Sequence, residues 1–251
     1  MAQEKPLGTL IGSTQQEIDR KNSMSDRLRN SPILDSELMD NLGVYLTRQN
    51  LSRMLFMQEI YQQILPVHGV IMEFGVRWGQ NLSLFSNLRG IHEPFNYNRR
   101  IVGFDTFAGF PSVSAEDGDR VAVGDYAVTG DYKDHLQQVL EYHQANAPIP
   151  HKKKFELVQG DATQTLPDFL KRQPETIVAL AYFDFDIYAP TKSCLEALLP
   201  HCTRGTVLAF DELNCPEFPG ETTAVKEVLG LGKYALRRSP HSPLTSYLVI
   251  D

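Results

Sequence analysis

The sequence predicts an α/β fold: a doubly wound, Rossmann-like, mostly parallel seven-stranded sheet with helices on both faces, an antiparallel C-terminal strand and a helical N-terminal extension. Three observations predict it. Short apolar runs alternate with helical periods from Val70 onward. Several of those runs stop at an acid, at Glu73, Asp105, Asp184 and Asp211. The first run also leads through a glycine turn into a helix, which is how doubly wound sheets hold nucleotide-like ligands at the carboxyl ends of their strands.

The 251 residues suit one large α/β domain with extensions, here 36–251 after an arm of residues 1–35. The arm is polar and its first dozen residues are expected to be mobile. Residues 14–30 have a weak helical pattern. Such an arm could fold over a site or onto a second subunit, and a homo-oligomer, dimer or larger, is expected. From Ser36 to Leu65 apolar residues recur at helix spacing until Pro66 breaks the pattern.

Val70, Ile71 and Met72 form the first buried strand, which the charge of Glu73 ends. Gly75 and Gly79 allow a tight turn and close approach of a ligand to bare backbone. Leu82, Leu84, Phe85 and Leu88 then suit the inner side of a helix. Ile101–Asp105 is the second strand, and a carboxylate at its tip is placed to accept both ribose hydroxyls of a nucleoside. Residues 112–133 have little period, so they are a lid, a binding loop or disordered. Phe155–Val158 is a strand, and Asp161 beyond it either accepts from an adenine amine or caps the next helix. Ile177–Phe183 and Gly205–Phe210 are strong buried strands, each followed by a helix. Tyr234–Arg237 and Ser246–Ile250 make a final antiparallel pair.

Asp184, Asp186, Asp211 and Glu212 fall at the ends of two of these strands. Neighbouring parallel strands would bring them to one edge, where four acids repel unless something neutralises them. A hard divalent cation suits carboxylate oxygens. It would also lower the pKa of a bound hydroxyl, whose proton a nearby carboxylate could take. Capping of the following helices is the other reading of these acids. Phe107, Phe110, Tyr126, Tyr132, Tyr188 and Phe218 could wall an acceptor site; of these Phe110, Tyr132, Tyr188 and Phe218 are taken as substrate candidates.

Four motifs resemble those of class I S-adenosylmethionine-dependent methyltransferases, and among them the macrocin O-methyltransferase family. They are Glu73-Phe-Gly-Val-Arg-Trp-Gly-Gln80, Asp105-Thr-Phe-Ala-Gly-Phe-Pro111, Asp184-Phe-Asp-Ile-Tyr-Ala-Pro-Thr191 and Asp211-Glu-Leu213. In the first, the Arg and the aromatic residue are exchanged and the last glycine is replaced. In the fourth, Glu212 stands for Asp. The resemblance covers roughly residues 70–230. It implies transfer of a methyl group from S-adenosylmethionine to a sugar hydroxyl of a glycosylated natural product in antibiotic biosynthesis. It implies donor contacts at Glu73, Phe74, Gly75, Val76, Arg77, Gly79 and Asn81, then at Asp105, Thr106 and Phe107. Further contacts fall at Gly160, Asp161, Ala162 and Asp184. Arg77 is the candidate for the methionine carboxylate, because a guanidinium pairs bidentately with it. Asp184, Asp211 and Glu212 would hold Mg2+, with Asp186, alongside Asp184, as the catalytic carboxylate and general base.

Two other classes fit the same strands. A nicotinamide-dependent oxidoreductase is opposed by the missing third glycine of G-x-G-x-x-G and by the acid cluster. A non-catalytic nucleoside-binding protein is opposed by intact acids at four positions. The net charge of −7 argues against a nucleic-acid partner. No apolar run reaches membrane-spanning length, and three unpatterned cysteines suggest a reducing compartment, so a cytoplasmic protein without a membrane partner is expected.

Overall fold

The structure is a computed structural model that describes residues 13–251. The expected mobility of the first dozen residues lies outside the described ones. Two compact units divide the chain, one running to Arg53 and the other from Met54 to Asp251. The physical reason is burial: the apolar core begins at Phe56, and α1 (Gln15–Arg29) buries no residue.

In the first unit, Thr14 caps α1 in a capping box with Glu17, each side chain accepting from the other's backbone N–H. The helical pattern expected from Ser36 breaks into pieces: a single turn α2 (Asp35–Leu38), a 3-10 turn (Leu42–Tyr45) and α3 (Arg48–Gln63). Tyr45 Oη donates to Ser31 Oγ at 2.6 Å. Helix α3 continues across the division into the second unit.

The second unit is the sheet. Its elements after α3 are β1 (Val70–Phe74), α4 (Gln80–His92), β2 (Ile101–Asp105), α5 (Tyr132–Asn146), β3 (Phe155–Gln159), α6 (Ala162–Arg172), β4 (Val178–Phe183), α7 (Tyr188–Leu198), β5 (Cys202–Phe210), α8 (Pro219–Val228), β6 (Arg237–Arg238) and β7 (Ser246–Val249). The strand order is β3-β2-β1-β4-β5-β7-β6. β1 to β5 are parallel, while β7 runs antiparallel to β5 and β6 antiparallel to β7. Among the described residues no helix is long and apolar enough to cross a membrane.

Alternation along each strand sends side chains to two apolar layers. Met72, Phe74, Phe104, Phe183, Leu208 and Phe210 pack with α6, α7 and α8. Ile71, Ile101, Leu180, Tyr182 and Val207 pack with the buried face of α3 and with α4 and α5. The long apolar strands follow from burial on both faces.

One row of this core sets the level of the site. Phe104, Phe74, Phe183 and Phe210 lie side by side on β2, β1, β4 and β5. Their rings stack with centroids 5.1, 4.8 and 5.3 Å apart. The ladder then continues one residue further. Gly75 N donates to Phe104 O at 3.0 Å, Asp184 N to Phe74 O at 2.8 Å and Asp211 N to Phe183 O at 3.0 Å. Asp105, Gly75, Asp184 and Asp211 each follow one of these phenylalanines, so they come off the apolar row at one edge.

Candidate active site at the carboxyl edge of the sheet

The loop after β1 is shaped by packing. Gly75 (φ 91°) has the Asp184 carbonyl against the position of a Cβ, and at Gly79 (φ 75°) a Cβ would lie 2.7 Å from Leu136 Cδ2. These glycines let β4 and α5 close on the turn. Glu73 does not end the strand: it lies within β1 and is 1% exposed. Phe74 is enclosed between Phe104 and Phe183, so only its backbone faces the edge. Val76 is 3% exposed and fills the space left by Gly103, where a Cβ would lie 2.6 Å from Val76 Cγ2. Asn81, in the first turn of α4, is 4% exposed and its Oδ1 has no hydrogen-bond partner. An orphaned buried amide oxygen beside the glycine turn fits a polar ligand there.

Asp105 holds two loops together. Its Oδ2 accepts from Arg77 N at 2.7 Å and its Oδ1 from Phe107 N at 2.6 Å. Burial pushes its carboxyl above the usual range, and these backbone amides work against that. Both residues it grips have positive φ, 47° at Arg77 and 55° at Phe107. Thr106 Oγ1 donates to Gly109 O at 2.6 Å. Of the two readings of Asp161, the structure displays the cap: Oδ1 accepts from Thr163 N at 2.9 Å, and α6 begins at Ala162. Ala162 is core, 5% exposed, behind Gly160.

The acids come together. Asp186 and Asp211 are each 6% exposed, while Asp184 and Glu212 are half-buried. Tyr182 Oη donates to Asp211 Oδ1. Asp186 sits at φ 62°, a conformation that costs a non-glycine residue roughly 1–2 kcal/mol. A fifth acid, Glu221, joins them from the first turn of α8 and is 0% exposed. Burial first, and then Asp186, Asp211, Asp184 and Glu212, raise its carboxyl well above the usual range. Among the described residues no group of three or more His, Cys, Asp or Glu side chains is arranged to hold a metal ion. The donor set is nevertheless all hard oxygen, and neither Glu221 oxygen has a hydrogen-bond partner. Both facts fit a divalent cation.

The 112–131 segment is ordered by a second buried acid. Asp117 is 1% exposed; its Oδ1 accepts from Tyr188 N at 2.6 Å and its Oδ2 from Ser114 N and Oγ at 2.7 and 2.9 Å. The segment carries Tyr126, whose ring lies 5.3 Å from Phe110 and 6.4 Å from Phe218. The Arg77 guanidinium carbon stands 4.8 Å over that ring. Burial and then Asp186, Glu212 and Asp184 push the Tyr126 phenol up, against Arg77. Phe110, Tyr126 and Phe218 are therefore one aromatic group beside the acids. Tyr132 is placed elsewhere, edge-on to Trp78 at 4.6 Å with its Oη on Trp78 O. The Tyr188 hydroxyl is engaged by Glu227 and Lys192, between α7 and α8.

Glu221 and Asp117 carried no signal in the sequence. The one hint was Gly220, which lets α8 press on the chain at Ile187 and Tyr188.

The fold and this edge define the class: a class I S-adenosylmethionine-dependent methyltransferase. The chain belongs to the methyltransferase domain family, which matches residues 72–213, and it is an S-adenosylmethionine-dependent O-methyltransferase. That removes the oxidoreductase reading. It is similar to CalS11, a calicheamicin methyltransferase, with 42% identity and a TM-score of 0.92 over 99% of this chain and 98% of that one. A second structure of CalS11, described as a TDP-rhamnose 3'-O-methyltransferase of calicheamicin biosynthesis, matches with 42% identity and a TM-score of 0.84 over 94% and 95% of the chains. The O-methyltransferase NovP shares the fold, with 17% identity and a TM-score of 0.59 over 79% of each chain. No curated protein matched the chain.

Proposed function

We propose that this chain methylates a sugar hydroxyl in the making of a glycosylated natural product, and that its acceptor is a nucleotide-linked deoxysugar. The likeness to CalS11 carries this reading: 42% identity over nearly the whole of both chains, with a relative described as acting on TDP-rhamnose. It shifts the expectation from a finished glycosylated product to the activated sugar that precedes it.

The chemistry follows from the edge of the sheet. Methyl transfer from a sulfonium needs an aligned nucleophile and little covalent help, so positioning is the protein's main contribution. The loops after β1, β2 and β3 hold the donor, with Asn81 supplying a free buried acceptor. Asp184, Asp211 and Glu212 would hold Mg2+, which when bound supplies the Lewis acidity that acidifies the acceptor hydroxyl. Asp186 takes the hydroxyl proton from its strained position among the acids. Phe110, Tyr126 and Phe218 wall the sugar side and keep water from the sulfonium.

Incubation with S-adenosylmethionine and TDP-rhamnose should yield S-adenosylhomocysteine and a singly methylated nucleotide sugar, with EDTA suppressing turnover. No methylation across a panel of nucleotide sugars, with turnover on a finished glycoside instead, would refute the acceptor assignment. Full turnover in EDTA would take the cation out of the mechanism.

A further inference from the structure

Glu221 has no place in the scheme above, yet it is among the most enclosed polar groups in the protein. Its position is fixed by its neighbour. A Cβ at Gly220 would lie 2.6 Å from Tyr188 N and 3.2 Å from Ile187 C, so only glycine lets the start of α8 seat on the backbone that follows Asp186. The next residue is thereby driven inward. Its side chain is 0% exposed, and both carboxyl oxygens are buried with no hydrogen-bond donor. The side chains of Asp186, Asp211, Asp184 and Glu212 act on it, and all four are acids.

A buried carboxyl group can satisfy its oxygens in two ways. Protonation neutralises it, but a buried acid O–H then needs an acceptor of its own, and the carbonyl oxygen still lacks a donor. The α8 N-terminus supplies only about half a charge. A cation neutralises the carboxylate and contacts one or both of its oxygens at once.

We propose that Glu221 is a further carboxylate of the divalent-cation site, acting with Asp184, Asp211 and Glu212 and leaving Asp186 to take the substrate proton. This rests on the reading above that a cation binds at this edge. It makes α8 part of the site, and it gives Gly220 a role in placing a ligand rather than only in packing.

Mn2+ is the probe, titrated into the full chain in the absence of substrate and followed by calorimetry and by loss of the free-ion EPR signal. Wild type is expected to bind one Mn2+. E221Q, which keeps the shape and removes the charge, is expected to bind it at least tenfold more weakly while melting no lower than wild type. Equal Mn2+ affinity in wild type and E221Q overturns the proposal and leaves the cation reading standing, with Glu221 a protonated core residue. Absence of Mn2+ binding in wild type overturns the cation reading itself, and the proposal with it. If E221Q does not fold, E221D keeps the charge and shortens the reach: at least threefold weaker binding supports the proposal, and wild-type affinity overturns it.

Discussion

Replacing Asp117 by alanine tests what holds residues 112–131 in place. The carboxylate is 1% exposed and accepts three hydrogen bonds, from Tyr188 N, Ser114 N and Ser114 Oγ. A hydrogen bond to a charged group contributes about 1.5–3 kcal/mol, and leaving a buried partner unmet costs about 1–3 kcal/mol. Ser114 is half-buried and can return its donors to water. The backbone N–H of Tyr188, at the start of α7, is the donor with least recourse. The expected loss is therefore about 2.5–4 kcal/mol, the lower half of one strong bond plus one unmet donor. For a chain of this size that is roughly 5–15 °C in Tm. D117N should lose about half as much. Its amide oxygen can still serve Tyr188 N, but its NH2 then opposes the Ser114 N–H. Chemical and thermal unfolding measure the loss, and trypsin reports its place, because Arg120 lies exposed in the segment. Faster cleavage after Arg120 is expected in D117A under native conditions. A loss below about 0.5 kcal/mol with unchanged cleavage would refute the view that this one acid fastens the loop over the aromatic group.

Two more substitutions probe the support of the sheet and of the site. Arg99 is 2% exposed and pairs with Glu93 at 2.9 Å while donating to the carbonyls of Gly69, Ile64 and Val67; R99A should cost about 3–5 kcal/mol in urea unfolding, and a cost under 1 kcal/mol refutes its bridging role. The same pair predicts acid sensitivity. Burial raises the Glu93 carboxyl, but hydrogen bonds from Arg99, Tyr61 and Asn96 outweigh it and leave the group below its usual 4.5. The stability it contributes is thus complete above that value and lost as pH falls through the lower folded value. E93Q should flatten this part of the acid limb, and an unchanged limb would remove Glu93 from the cause. Y182F deletes the donor to Asp211. About 1–2 kcal/mol of stability should go with it. A kcat at least fivefold lower at unchanged KM for S-adenosylmethionine is expected, and wild-type kcat would show that Asp211 needs no such support.

Which parts of the protein could be read from the chain follows from how each is stabilised. β1, β2, β4 and β5 were legible because strands covered on both faces must be apolar throughout, so each run stands out and its terminal acid marks the sheet edge. The final antiparallel pair was legible too, but its first strand is only Arg237–Arg238 rather than Tyr234–Arg237, because no apolar run marks the bounds of a short edge. Asp105 reads as a ribose ligand by position, and the structure adds that its two oxygens each accept from a backbone amide. Gly75 and Gly79 read as a cradle, and the structure adds that a Cβ at either would meet the Asp184 carbonyl or the Leu136 side chain. A glycine in a sequence signals that a side chain would collide, without saying with what.

The sequence alone determined the main strands along the chain, their parallel direction and the placing of Asp105, Asp184, Asp186, Asp211 and Glu212 at strand ends. These follow from local periodicity and from the right-handed crossover of parallel strands. Only the tertiary structure decided that Glu221 joins those acids, that Asp117 fastens the loop, and that the Tyr188 hydroxyl turns to Glu227 and Lys192. Each of those depends on two segments meeting after folding, α8 on the start of α7 above all. A polar residue in a helix's first turn looks the same on the page whether water or four other acids will surround it.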